Sequence, residues 1–181
     1  KLNGDDKVVS MSILRHFDAT SDERSAYLKM RRAVAGLADD ADTPAEDEEV
    51  NANATISQER YAQMSAAENL LLTISEKGSG KLSSSHDYPV RGRGGLGVAA
   101  MDRAMRGGDI VASFPVELDD QIMLATSKGQ SIRVPVEEIS FRSRSAGGVK
   151  VFDTGRGEVV VSVARIADQG DATVETDADD A

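Results

Sequence analysis

Between residues 70 and 166 the chain alternates short apolar runs with polar, glycine-bearing turns, at strand length rather than helix length. The runs predict strands at about 70–75, 81–83, 98–101 and 110–116, and again at about 121–127, 131–136, 149–152 and 159–166. A further run, KVVSMSIL at 7–14, reads as a lone strand near the start. Between it and the others the period changes. Tyr27, Met30, Val34 and Leu37 fall at helical spacing, which predicts a helix over 21–37 with Thr20 or Ser21 as its cap. Asp22 and Glu23 suit the positive N-terminal end, and Gly36 helps to stop it. A second, shorter helix is expected from Ser57 to about Glu68, with Ser57 as cap.

The strand pattern is written twice. Residues 69–98 lie without a gap on 120–149 after a shift of 51 positions: Leu71-Leu72 on Ile122-Met123, Lys77-Gly78 on Lys128-Gly129, Gly97-Val98 on Gly148-Val149. The run at 109–116 recurs 50 positions later at 159–166, and its third copy is 7–14. Val8 precedes its counterpart Ile110 by 102 positions, so about 50 residues are inserted between them. A period near 50 residues, with about four strands in each, fits blades stacked in a propeller-like array. The expected organisation is the last strand of a truncated blade at 1–14, a partly helical acidic insertion at 15–67, blades at 68–118 and 119–167, and a disordered acidic tail at 168–181. The fold class is all-β. Lys1 and the lone strand suggest a C-terminal piece of a longer protein.

Charge changes the picture only when it is divided along the chain. The formal sum over 181 residues is -10, yet residues 1–67 carry 8 Lys or Arg against 13 Asp or Glu, 68–167 carry 13 against 12, and 168–181 carry none against 6. Acidity therefore belongs to the insertion, where 38–53 reads as a mobile linker, and to the tail. With no cysteine there is no disulfide or thiolate metal site, and no apolar run reaches the ~18 residues of a membrane span. A cytoplasmic protein is the expectation.

Several motifs invite a catalytic reading and fail it. Gly92-Arg93-Gly94-Gly95-Leu96-Gly97 matches the dinucleotide fingerprint, but its repeat counterpart at 143–148 keeps an arginine and loses most glycines, and no helical pattern follows. Residues 78–83, GSGKLS, miss the phosphate loop twice, with Ser75 where Gly is needed and Leu82 where Ser or Thr is needed. His16 and His86 have no second ligand at metal spacing, and Asp87, Glu137 and Glu138 read as solvated turn carboxylates. No catalytic, cofactor-binding or metal-binding residue is assigned.

What remains is a basic loop. Arg91 and Arg93 are matched position for position by Arg142 and Arg144, with Lys81 and Arg133 on adjoining strands and Lys150 beyond. Cations recurring at equal intervals suit the phosphate backbone of duplex DNA. Aromatics, at 4%, are too few to expect stacking on unpaired bases. The bland alternative is a set of solvated loop arginines.

These same residues carry a family resemblance. Lys7-Val-Val-Ser, Gly78-Ser-Gly-Lys, the run from Arg91 to Val98, Asp120-Gln-Ile-Met-Leu, the run from Arg133 to Ile139, and Arg144-Ser-Ala-Gly-Gly-Val149 together resemble the end of the C-terminal domain of bacterial DNA gyrase A proteins, which are type IIA topoisomerases. The likeness covers 1–14 and about 66–167. It implies a six-bladed β-pinwheel in which neighbouring blades exchange strands, and which wraps duplex DNA on its basic rim so that the enzyme introduces negative supercoils, driven by ATP hydrolysis. It further implies an assembly of two gyrase A proteins with two gyrase B proteins, the latter binding ATP and Mg²⁺. The glutamine-led basic box of the family's first blade is absent, and Leu82-Ser83 stands where Arg-Thr is usual. Tyr61 lies in the insertion and is read as a packing residue, the cleavage tyrosine being assigned elsewhere.

Two rivals stay open: the equivalent component of topoisomerase IV, which chiefly unlinks daughter duplexes, and a propeller-like interaction scaffold without DNA affinity. The tail, a tethered polyanion at high effective concentration, is expected to compete with DNA for the rim. Deleting residues 168–181 should tighten duplex binding at low salt, and an unchanged titration would remove the idea.

Overall fold

A computed structural model describes residues 4, 6–35, 54–95, 97–102, 104 and 107–167. The expected linker at 38–53 and the tail at 168–181 lie outside the described residues.

Two antiparallel sheets form, one for each copy of the repeat. In the first copy β1 (Leu70–Ser75) pairs with β2 (Ser79–Ser84) and with β3 (Ile110–Val116). In the second, β4 (Gln121–Thr126) pairs with β5 (Ser131–Pro135) and with β7 (Val160–Ile166). The copies agree to the level of irregularities. The β1/β3 ladder slips between Ile74 and Ser75, the β4/β7 ladder between Ala125 and Thr126, and a short 3₁₀ turn follows β2 at Ser85–Asp87 and β5 at Val136–Glu138. The same bond closes each unit, Ser85 N–H to Asn69 carbonyl at 2.9 Å and Val136 N–H to Asp120 carbonyl at 3.0 Å.

The third predicted strand behaves differently. In the second copy it shortens to β6 (Val149–Lys150) and joins the neighbouring sheet, where Lys150 pairs with Ser79 and Val149 with Gly80. The first sheet thus runs β3-β1-β2-β6, its fourth strand donated by the other repeat, while the second runs β5-β4-β7. Residues 98–101 form no strand, and neither does the expected strand at 7–14, from which the Ser10 hydroxyl donates to the Ser113 carbonyl at 2.7 Å. A strand needs a partner to satisfy its backbone groups. Neither segment has a ladder partner among the described residues.

Between the sheets lies the core. Leu72, Ile74, Leu82 and Val116 pack against Ile122, Leu124, Val136, Ile139 and Val160. Every β1 residue from Leu71 to Ser75 is buried, whereas the outer face of the second sheet leaves Met123 42% and Arg133 largely exposed. The register explains the difference, because Leu72 and Leu82 pair in the first sheet and their counterparts Met123 and Arg133 pair in the second.

The inserted segment folds back on the first repeat. Helix α1 (Ser21–Val34) starts at a capping box, Thr20 accepting from the Glu23 N–H and Glu23 from the Thr20 N–H. Helix α2 (Gln58–Ala67) is capped by Ser57. Tyr27, fully buried on α1, meets Tyr61 of α2 at 5.1 Å and His86 of the first repeat at 5.0 Å between ring centroids, and His86 Nε2 lies 2.8 Å from the Met64 carbonyl. The packing role expected for Tyr61 is what the contacts show. Arg60 ties the helices together, with Nε 2.8 Å from Glu23 and its guanidinium 4.8 Å above the Phe17 ring. At the end of α1, Arg31 holds Glu68 at 2.7 Å and lies 3.8 Å above the ring of Phe141, a residue of the second repeat. Val34, counted among the apolar positions of the helix, is 71% exposed because α1 has by then left the surface that it packs on.

Two glycines measure the closeness of the repeats. Gly78 and Gly129 occupy the same turn with φ of 76° and 83°, but a Cβ on Gly78 would lie 2.2 Å from the Phe152 carbonyl oxygen and one on Gly129 would meet nothing. The left-handed backbone costs both alanine variants about 1–2 kcal/mol. Gly78→Ala should lose roughly another 1–3 kcal/mol from the clash, read as a larger drop in denaturant midpoint than for Gly129→Ala.

Candidate nucleic-acid interface

The two basic loops leave their sheets at equivalent points, after Tyr88 and after Ile139. They are brought side by side. The Arg144 guanidinium donates from Nη1 to the Ala99 carbonyl at 2.6 Å, and the Asp102 N–H reaches the Ala146 carbonyl at 3.3 Å, so the second loop rests against the far end of the first. Its near end is held by Asp87, whose carboxylate accepts the Arg144 N–H at 2.6 Å and whose carbonyl accepts Arg144 Nε at 2.8 Å.

This arrangement divides the seven candidate cations. Arg91 and Arg93 are exposed on the first loop, and Arg142 is half-buried at the start of the second, its N–H fixed on the Leu82 carbonyl at 2.8 Å. Lys150 is exposed and holds Asp153 at 2.8 Å, a surface pair of small worth. Arg133 is exposed on the outer face of the second sheet rather than on a loop.

Arg144 and Lys81 are not on the rim. Arg144 is 2% exposed, its guanidinium turned inward to the carbonyls of Asp87 and Ala99. Lys81 is 0% exposed and its ammonium donates to the carbonyls of Ser143, Arg144 and Ala146 at 2.6, 2.5 and 2.7 Å. The expectation that both face the polyanion is corrected for one reason: burial with internal hydrogen bonding leaves no donor aimed at solvent phosphate. Matched position did not mean matched environment. Arg93 has the place in its repeat that Arg144 has in the next, yet Arg93 is exposed, because Asp87 and Lys81 stand on the first repeat and receive only the second loop.

Asp87, read from sequence as a solvated carboxylate, is the anion between these cations. Burial raises its pKa, and the Arg144 N–H and guanidinium, followed by Arg32 and Lys81, pull it back only in part. Tyr88 beside it is also raised, by burial and then by the Asp87 charge. One signal for Lys81 was present in the sequence: its counterpart is Ile132, an apolar strand position, so a lysine there calls for buried acceptors. Nothing comparable marked Arg144.

Comparison with known proteins gives this geometry a family. The sequence profile described as DNA gyrase C-terminal domain, beta-propeller, matches residues 69–114 and 120–167, more than half of the chain. The chain belongs to the DNA gyrase A C-terminal domain family. It is 45% identical over 172 residues to the DNA gyrase A protein of Granulibacter bethesdensis, across 90% of this chain and 18% of that protein. To the DNA gyrase A protein of Rickettsia bellii it is 35% identical over 174 residues, 94% of this chain and 19% of that one. The chain thus spans less than a fifth of the length of these curated relatives. A solved structure of a DNA gyrase A C-terminal domain superposes with a TM-score of 0.51 at 25% identity, covering 55% of this chain and 34% of that one. These two gyrase A relatives run through the inserted helices as well as the repeats, since they align with at least 90% of the chain.

The division of the arginines is measurable. Arg144→Ala should cost about 3–5 kcal/mol, because it leaves Asp87 buried without its cation, whereas Arg93→Ala should stay within about 0.5 kcal/mol of the parent in urea unfolding.

Proposed function

We propose that this stretch of a gyrase A protein binds and wraps duplex DNA across its paired basic loops, so that the whole enzyme, a type II topoisomerase, introduces negative supercoils. The observation that carries the reading is the juxtaposition of the loops: a contact network buries Arg144 and Lys81 and leaves Arg91, Arg93 and Arg142 on the solvent side of two adjoining segments. Such a row of cations neutralises successive phosphates without reading bases. In this reading the chain performs no chemistry. DNA cleavage belongs to other parts of the gyrase A protein, ATP and Mg²⁺ to gyrase B, and the working assembly contains two of each in the bacterial cytoplasm. Among the described residues, no helix is long and apolar enough to cross a membrane.

The loop arginines 91, 93 and 142 are the first phosphate contacts, with Arg133 and Lys150 behind them. With three to five contacts, log affinity against log salt should have a slope of about -3 to -4.5. In the full-length gyrase A protein, replacing Arg91, Arg93 and Arg142 together by Ala should flatten the slope by about three. An unchanged slope favours the scaffold reading.

A further inference from the structure

Lys81 is a lysine at a strand position that its repeat counterpart fills with Ile132, and it is wholly buried. An ammonium has three N–H donors. Here three carbonyls from one short turn, those of Ser143, Arg144 and Ala146, lie within 2.5–2.7 Å of Nζ. The turn is folded around the charge. It belongs to the second repeat and Lys81 to the first, so the contact also fixes how the repeats meet.

Asp87 completes the clamp from the same repeat, taking the Arg144 backbone N–H and, through its own carbonyl, the guanidinium. With the turn held by Lys81 and Arg144 drawn inward by Asp87 and Ala99, the start of the second loop has little freedom. Arg142 sits there. Its N–H is bound to Leu82, the strand neighbour of Lys81, and its side chain keeps access to solvent.

We infer that Lys81, with Asp87, is a positioning residue for DNA binding: it never touches DNA and acts by holding the 142–146 turn so that Arg142 faces the phosphate track. Lys81→Met keeps the length and takes the charged donors away from three buried carbonyls, of which those of Ser143 and Ala146 keep a backbone N–H, from Ala146 and Asp102. The turn then moves outward to reach water, taking Arg142 off its station. The inference rests on the proposed DNA contact of Arg142.

The test uses the full-length gyrase A protein with Lys81→Met, Asp87→Asn, Arg142→Ala and the Lys81→Met/Arg142→Ala double variant. Without DNA, hydrogen exchange at the Arg144 and Ala146 amides should accelerate about tenfold or more in Lys81→Met, the scale of hydrogen bonds to a charged group, while β1 and β4 amides keep their protection. With duplex DNA, Lys81→Met and Arg142→Ala should each flatten the salt slope by about one, and the double variant should be no worse than Arg142→Ala alone. Additive losses would make Lys81 a direct contact and overturn the inference, as would unchanged exchange in the turn. If β1 and β4 also lose protection in Lys81→Met, Asp87→Asn decides the matter. It leaves Lys81 in place and should still speed exchange at Arg144 and flatten the slope, and a parental slope overturns the inference. An unchanged slope in Arg142→Ala would instead sink the DNA contact, and the exchange data would still report whether the clamp exists.

Discussion

One buried ammonium, held by three carbonyl oxygens of a neighbouring repeat, sets the relation between the halves of this structure. A charge removed from water is tolerated only with its hydrogen bonds complete. Lys81 meets that condition in one arrangement of the 143–146 turn, so the contact is demanding in geometry where apolar packing would be permissive. Asp87 supplies the opposite charge beside Arg144, and burial raises its pKa against the pull of Arg144, Arg32 and Lys81.

Strand exchange follows the same logic on the backbone. The edge of β2 is satisfied by β6 and by the backbone of residues 140–142, all from the second repeat, with Leu82 giving its carbonyl to Arg142 and taking that of Ser140. An unpaired strand edge is both a loss and an aggregation risk. The first sheet resolves it by borrowing. In the second sheet β5 carries Arg133 on its outward face and ends in Pro135, features that suit an edge without a ladder partner among the described residues. The repeats are thus alike in sequence period and unlike in environment.

The insertion takes part in the packing of both repeats. Its two helices are stapled to the first repeat by Tyr27, Tyr61 and His86, and α1 reaches the second repeat through Arg31 over Phe141. Phe141 immediately precedes Arg142, so the insertion braces the start of the basic loop from outside while Lys81 and Asp87 hold it from within.

The repeat period, most strand positions, both helices with their caps and the family were legible from residue order, because each depends on spacing along the chain. Periodicity finds faces, and a shift of 51 positions finds copies. What it could not find was which matched residues share an environment. Arg93 and Arg144 are equivalent in sequence and opposite in exposure; Lys81 looked like a rim cation and is interior; Asp87 looked solvated and is the anion of a buried cluster. Those outcomes were decided by tertiary structure, for the physical reason that burial of a charge depends on donors and acceptors brought from 45 to 65 residues away, and no local pattern records them.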